Sequence, residues 1–257
     1  MSGKLKSVLK SVYYFGTRYK CTYCGSMLRK FNPIGLNLPI LKEMQIVGGY
    51  RREEGRCPIC RTSDRERLLY KYVFKSGKIN LKGIRVLHVA PEKNIETVFR
   101  KLVATNKIEY YSGDKFPDVY NYHNVPELDI TATNFSDNYF DLLLCNHVLE
   151  HIPNDIDAMK EIFRILKPGG KAILQVPVSK VLEKTYEDFS ITEPTEREEK
   201  FGQYDHVRIY GQDYTDRLAS SGFKVILENP VNMFGDKVID KEGINKEEII
   251  FVAQKPV

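Results

Sequence analysis

Between Phe140 and Pro153 the chain reads Phe-Asp-Leu-Leu-Leu-Cys-Asn-His-Val-Leu-Glu-His-Ile-Pro. A carboxylate, Asp141, leads a short apolar run that suits a strand buried on both faces. The run then breaks into Asn146, His147 and His151 before the proline. Polar groups at the carboxyl end of a buried parallel strand lie where open α/β sheets bind ligands. Ile156, Met159, Ile162, Phe163 and Leu166 share one face of the helix expected next, and Lys167-Pro168-Gly169-Gly170 ends it. A second apolar strand, Lys171 to Val176, completes a βαβ unit whose crossover is expected to be right-handed.

The Asp-led strand, the His147-Val148-Leu149-Glu150-His151 turn and the Leu166-Lys167-Pro168-Gly169-Gly170 segment together resemble the second half of class I S-adenosylmethionine-dependent methyltransferases. The resemblance covers roughly residues 84 to 254. It implies an α/β fold with a Rossmann-like, seven-stranded class I methyltransferase sheet, and S-adenosyl-L-methionine as cofactor. Ile84 to Ala90 is the expected first strand. The family's Gly-x-Gly-x-Gly turn after it is replaced here by Ala90-Pro91-Glu92-Lys93-Asn94, and His88 replaces the usual strand-end acid. With no glycine to supply a positive φ, a different backbone path or a wider pocket is expected. Leu-His-x-Ala-Pro-Glu also stands in a zinc-ribbon subgroup that this chain resembles.

Glu92 is expected to meet the positive amino end of the methionine moiety, or to act as an acid favoured at a helix N-terminus. Asp114 ends the strand Ile108–Gly113 and is expected to accept the ribose hydroxyls. Lys115 and Phe116 are placed beside the adenine. Asp129 and Ile130 end a third strand on the adenine side, and Asn146 and His147 end the organising strand. The cofactor set implied is therefore His88, Ala90, Pro91, Glu92, Asp114, Lys115, Asp129, Ile130, Asn146 and His147.

Ahead of this region lies a basic segment. Residues 1–82 hold 18 Lys and Arg against 5 Asp and Glu, a balance of +13, so the remainder carries −8 of the net +5. Such asymmetry suggests an anionic partner, a solvated lysine-rich surface being the other reading. No secretory signal is evident, and five cysteines in a chain expected to be intracellular argue for metal or free thiols over disulfides. Cys21-x-x-Cys24 and Cys57-x-x-Cys60 are separated by 32 residues and suit a four-thiolate zinc knuckle. Four thiolates leave no open coordination position, so the zinc is expected to be structural, with incidental reduced thiols as the alternative. Thr62 to Lys75 reads as a helix opened by a Ser63/Glu66 capping box. The segment from Cys57 to Val73 resembles the Cys-Pro-x-Cys-Gly stretch of the zinc-ribbon subgroup, with Arg61 in place of the glycine. Arg65 and Arg67 are placed to reach a phosphate or to pair with Glu53, Glu54 or Glu66. Residues 1–78 are thus expected to form a basic zinc-ribbon or knuckle module with a linking helix, and 79–257 the methyltransferase domain.

Residues 178–210 interrupt the sheet as a charged insertion on the expected acceptor side. Its end, Phe201-Gly202-Gln203-Tyr204-Asp205-His206-Val207-Arg208, resembles a recurrent subgroup ending. Methyl transfer to a hydroxyl needs alignment and a base, and histidine suits that role. His206 is the first candidate, oriented by Asp205, with Arg208 holding an anionic substrate group. His147 is second, His151 is read as a packing residue, and His123 has no motif around it. The leading expectation is O-methylation of a small or glycan-linked acceptor, such as a surface-polysaccharide sugar, the glycan part being implied by resemblance to a subgroup often associated with polysaccharide synthesis. An RNA or base N-methyltransferase with a nucleic-acid partner ranks second, and an inactive binding module third. No apolar run reaches the ~20 residues of a membrane span, and a cytoplasmic location is expected.

Overall fold

The computed structural model describes residues 3–105, 107–120 and 124–257, so His123 lies outside the described residues. In chain order the first elements are α1 (Gly3–Tyr14), β1 (Phe15–Lys20), β2 (Met27–Leu28), β3 (Asn32–Ile34), α2 (Pro39–Glu43), β4 (Arg52–Arg56) and α3 (Asp64–Lys75). Then come β5 (Ile84–Val89), α4 (Lys93–Val103), β6 (Ile108–Gly113), β7 (Phe140–Cys145), α5 (Asp155–Ile165) and β8 (Leu166–Ile173). The remainder is β9 (Tyr186–Glu187), α6 (Pro194–Phe201), β10 (Arg208–Ile209), α7 (Tyr214–Ser220), β11 (Lys224–Glu228), α8 (Pro230–Phe234), α9 (Asp236–Glu242) and β12 (Ile250–Gln254).

The chain divides into two units. The first comprises 1–37, 48–79 and 228–249, the second 38–47, 80–227 and 250–257. This departs from a simple cut after residue 78, because 38–47 and 228–249 each fall in the other unit. Arg67 shows why the latter segment belongs with the N-terminal module. Fully buried on α3, its guanidinium donates to the carbonyls of Thr62, Glu242 and Gly243 and lies 4.0 Å over Phe31. A buried arginine must be saturated by acceptors, and these carbonyls at the end of α9 serve. Arg67 is therefore committed to structure, and its partners are backbone oxygens instead of the expected glutamates. Nearby, the Ser63–Glu66 capping box forms as expected, with both reciprocal hydrogen bonds present.

The second unit is built on a six-stranded sheet in the order β11-β12-β8-β7-β5-β6. Strands β6, β5, β7 and β8 run parallel, and β12 is antiparallel to β8. Leu87, Val89, Leu143 and Cys145 are buried in one core with Met159, Ile162 and Ile165 of α5. Val86, Leu142 and Leu144, on the opposite face, are buried as well, and this double-sided burial is why β5 and β7 read as apolar runs. This sheet has six strands among the described residues, one fewer than expected. The Leu128–Ile130 strand is reduced to a single parallel bridge between Asp114 and Glu127, held by Asp114 N to Pro126 O at 3.0 Å and Leu128 N to Asp114 O at 2.9 Å.

Register sets the site. Val89 pairs with both Gly113 and Cys145, so Ala90, Asp114 and Asn146 leave the sheet side by side. The 178–210 insertion is structured: β9 pairs with β10, and α6 ends on Gly202 at φ +84°. No helix among the described residues is long and apolar enough to cross a membrane.

Candidate active site and cysteine cluster

At the carboxyl end of β5 the chain turns through Ala90 at φ +49°, in the left-handed region. The expected detour is thus corrected. An alanine takes the conformation a glycine would, held by its N–H donating to Gly113 O at 2.9 Å. His147, after β7, does the same at φ +56°, with its N–H on Gln175 O at 2.7 Å. Non-glycine residues in this region are strained, and such strain tends to cluster at functional sites.

Glu92, immediately before α4, reaches across the edge. Its carboxylate lies 2.5 Å from His88 Nε2 and accepts from Asn146 Nδ2 at 3.1 Å. The other His88 ring nitrogen lies 2.9 Å from the Tyr110 hydroxyl, and His88 is fully buried. His88 is therefore not a cofactor contact as expected; both nitrogens are used, and its role is to position Glu92. Burial pushes the Glu92 carboxyl up, but the bonds from His88 and Asn146 more than offset this and hold it below its ordinary value. An anionic, partly exposed carboxylate results between the ends of β5 and β7.

Asp114 accepts from Phe116 N at 2.8 Å through one oxygen and from the Tyr120 hydroxyl at 2.7 Å through the other. Each oxygen retains a second lone pair. Phe116 is exposed beside it. Asp129 is ion-paired to Lys115 at 2.8 Å and accepts from Thr131 N and Oγ1, which bring its pKa down to about 2. Lys115 and Asp129 are thus joined in one pair. Ile130 is buried in the core, and Pro91 is likewise buried.

The residues proposed for catalysis arrange themselves differently from expectation. Arg208 is fully buried and donates to Leu149 O at 2.9 Å, Ile152 O at 2.5 Å, Pro153 O at 2.7 Å and Glu187 at 2.9 Å. Four of its five N–H groups are used in this way, Nη2 also lies 3.8 Å from Asp155 Oδ1, and Arg208 clamps the turn after β7 instead of facing an anionic substrate. Asp205 does not orient His206; its Oδ2 lies 3.3 Å from His151 Nδ1. His206 is buried and packs edge-on to the His151 ring at 4.7 Å. Burial lowers the His206 pKa against the opposing pull of Glu150, so its imidazole is neutral at pH 7. Glu150 is buried with Oε1 3.3 Å from His147 Nδ1. Burial alone would raise its pKa, but His147, followed by the charges of His151 and His206, brings it down to about 2. Sequence reasoning passed over Glu150 and left His151 as packing. The signal available was their spacing from His147, at i+3 and i+4, which places three polar side chains on one tight turn.

In the first unit the four cysteine sulfurs Cys21, Cys24, Cys57 and Cys60 lie within 4.8 Å of one another. Cys21 and Cys60 are 3.7 Å apart and Cys24 and Cys57 3.9 Å. A tetrahedron with Zn–S bonds near 2.3 Å has edges of about 3.8 Å, so the donor set and spacing fit zinc. Arg61, at φ +69°, occupies the left-handed position after the second pair, its N–H on Cys57 O at 3.0 Å. A cavity of about 690 Å³ also lies in this unit, lined by Arg18, Arg52, Asp64 and Lys241 among others.

A mostly parallel sheet with Glu92 and Asp114 at its carboxyl edge is an α/β arrangement of the kind in which ligands bind outside that edge. Residues 82–174 match the family model of a methyltransferase domain. An uncharacterised protein of Methanocaldococcus jannaschii is 49% identical over 59 residues, covering 22% of this chain and 26% of that protein. A ubiquinone/menaquinone biosynthesis C-methyltransferase of Vibrio cholerae is 34% identical over 59 residues, 22% of this chain and 23% of its own length. The matched stretch therefore spans only about a quarter of these curated relatives. Among solved structures, a S-adenosylmethionine-dependent methyltransferase from Archaeoglobus fulgidus is 14% identical, with a TM-score of 0.47, covering 76% of this chain and 95% of that one.

Proposed function

We propose that this protein is an S-adenosyl-L-methionine-dependent methyltransferase that methylates an oxygen of a small or glycan-linked acceptor. The observation that carries this reading is the level alignment of Ala90, Asp114 and Asn146 along one sheet edge, with Glu92 anionic between them. The cofactor, when bound, supplies an electrophilic methyl group. Glu92 meets its positive amino end, Asp114 accepts the ribose hydroxyls through the remaining lone pairs, and Asp129 with Lys115 borders the adenine. His147 continues the edge toward the acceptor. His206, neutral and next to Glu150 and His151, is the group that takes a proton from the acceptor hydroxyl.

The four cysteines hold a structural zinc that stabilises the basic module. The +13 balance of residues 1–82 supports an anionic acceptor or partner, with polysaccharide ahead of RNA. The similarity to C-methyltransferases favours a carbon acceptor as the second reading. Isothermal titration with S-adenosyl-L-methionine tests the first step: binding is expected, and none at millimolar cofactor would leave a non-catalytic binding module. Labelled methyl transfer to extracted glycans, RNA and quinone-type phenols then separates the acceptors.

A further inference from the structure

We propose that Glu150, His151 and His206 form a second metal centre, for a divalent transition ion such as zinc, distinct from the four cysteines. One ligand atom from each of the three lies within 4.8 Å of the others. Two imidazoles and a carboxylate are a donor set for zinc and its neighbours in the first transition row. Three protein ligands leave a coordination position open, unlike the closed four-thiolate site.

A second observation points to a ligand. Glu150 Oε2 is buried and has no hydrogen-bond partner among the described residues. Its other oxygen is engaged by His147 at 3.3 Å. A buried carboxylate oxygen left without a donor is costly, and a cation between Glu150 and the two rings would satisfy it.

The surroundings hold these groups in place. Val207 N donates to Glu150 O at 3.0 Å, lacing the segment that carries His206 to the turn that carries Glu150 and His151. Arg208 fixes the same turn through the carbonyls of Leu149, Ile152 and Pro153. Asp205, 3.3 Å from His151 Nδ1, is the carboxylate that commonly supports a metal-bound imidazole. A tetrahedron with 2.0–2.1 Å bonds has edges of ~3.4 Å, within the 4.8 Å that bounds the separations of these ligand atoms. On the methyltransferase reading, the open position is where an acceptor oxygen coordinates; the base role given to His206 above then applies to the metal-free site, and in the loaded site the metal lowers the pKa of that oxygen directly. The metal site itself does not depend on that reading.

The test uses the full-length chain, loaded with excess cobalt(II), gel-filtered and assayed for metal per chain. Wild type is expected to hold about two ions, one with intense thiolate-to-cobalt absorption and one without. Glu150→Gln and His206→Gln are each expected to hold about one, with the thiolate absorption unchanged and the second ion at least tenfold weaker. His151→Gln, at a partly exposed position, serves where a buried variant does not fold. One ion or fewer in wild type, or two retained at unchanged affinity in the variants that fold, would overturn the proposal. Cofactor titration on the same samples reports on the methyltransferase reading independently.

Discussion

Replacing Ala90 with glycine should stabilise this protein. Ala90 sits at φ +49° and Arg61 at φ +69°, each where a related pattern carries glycine. An L-residue in the left-handed region costs about 1–2 kcal/mol. Glycine removes that cost but gives back about 0.4–1 kcal/mol through its freer unfolded chain. The net gain for either substitution is then about 0.5–1 kcal/mol, or roughly 1–4 °C in melting temperature for a protein of this size. The two positions lie in different units, so the double variant should be close to additive. Urea and thermal unfolding, followed by circular dichroism with zinc present throughout, measure both. Ala90→Val supplies the opposite sign, because a β-branched residue is worse still at positive φ. If Ala90→Gly were less stable than wild type while Ala90→Val were neutral, the left-handed turn would not be what strains this edge.

Asp114→Ala should weaken S-adenosyl-L-methionine binding by at least tenfold, read by calorimetry, through loss of one or two charge-assisted hydrogen bonds worth about 1.5–3 kcal/mol each. His206→Ala should abolish turnover in a labelled-methyl assay while leaving cofactor affinity within about twofold; full activity would remove it from the acceptor side. Chelation of the zinc proposed at the four cysteines should lower the melting temperature of the first unit, and an unchanged melt with no metal by elemental analysis would exclude the knuckle. The Glu92 carboxyl titrates below its ordinary value of 4.5 when folded. Its contribution to stability is therefore complete above pH 4.5 and is lost as pH falls from there through the folded value. Glu92→Gln should flatten the acid side of the stability profile in that window, and an unchanged slope would deny the His88–Glu92–Asn146 network.

Much of the second unit can be read from its residues, because β5, β7 and α5 owe their conformation to apolar periodicity. The Ser63 cap and the paired cysteines were equally legible, being local patterns with fixed spacing. Other features depend on distant partners. Arg208 looks like a surface cation until three carbonyls are brought around it, and Asp205 sits next to His206 in sequence but faces His151 in space. His88 reads as a replacement for a cofactor-binding acid, yet its burial beneath Tyr110 and Glu92 makes it a support. The positive φ of Ala90 has no compositional mark at all. Segment 228–249 was invisible as part of the first unit, since α8 and α9 are short and are tied to it through backbone acceptors of Arg67.

That returning segment limits how this protein can be taken apart. The polypeptide passes between its two units five times, at 37/38, 47/48, 79/80, 227/228 and 249/250. A fragment beginning at residue 80 would retain 228–249 without the surface that covers Ile239 and Ile244, both buried in the whole chain. Such a fragment would expose these apolar side chains to solvent. Recombination that exchanged the cysteine module for another would have to replace a loop far downstream as well, so the two halves are constrained to be inherited as one piece.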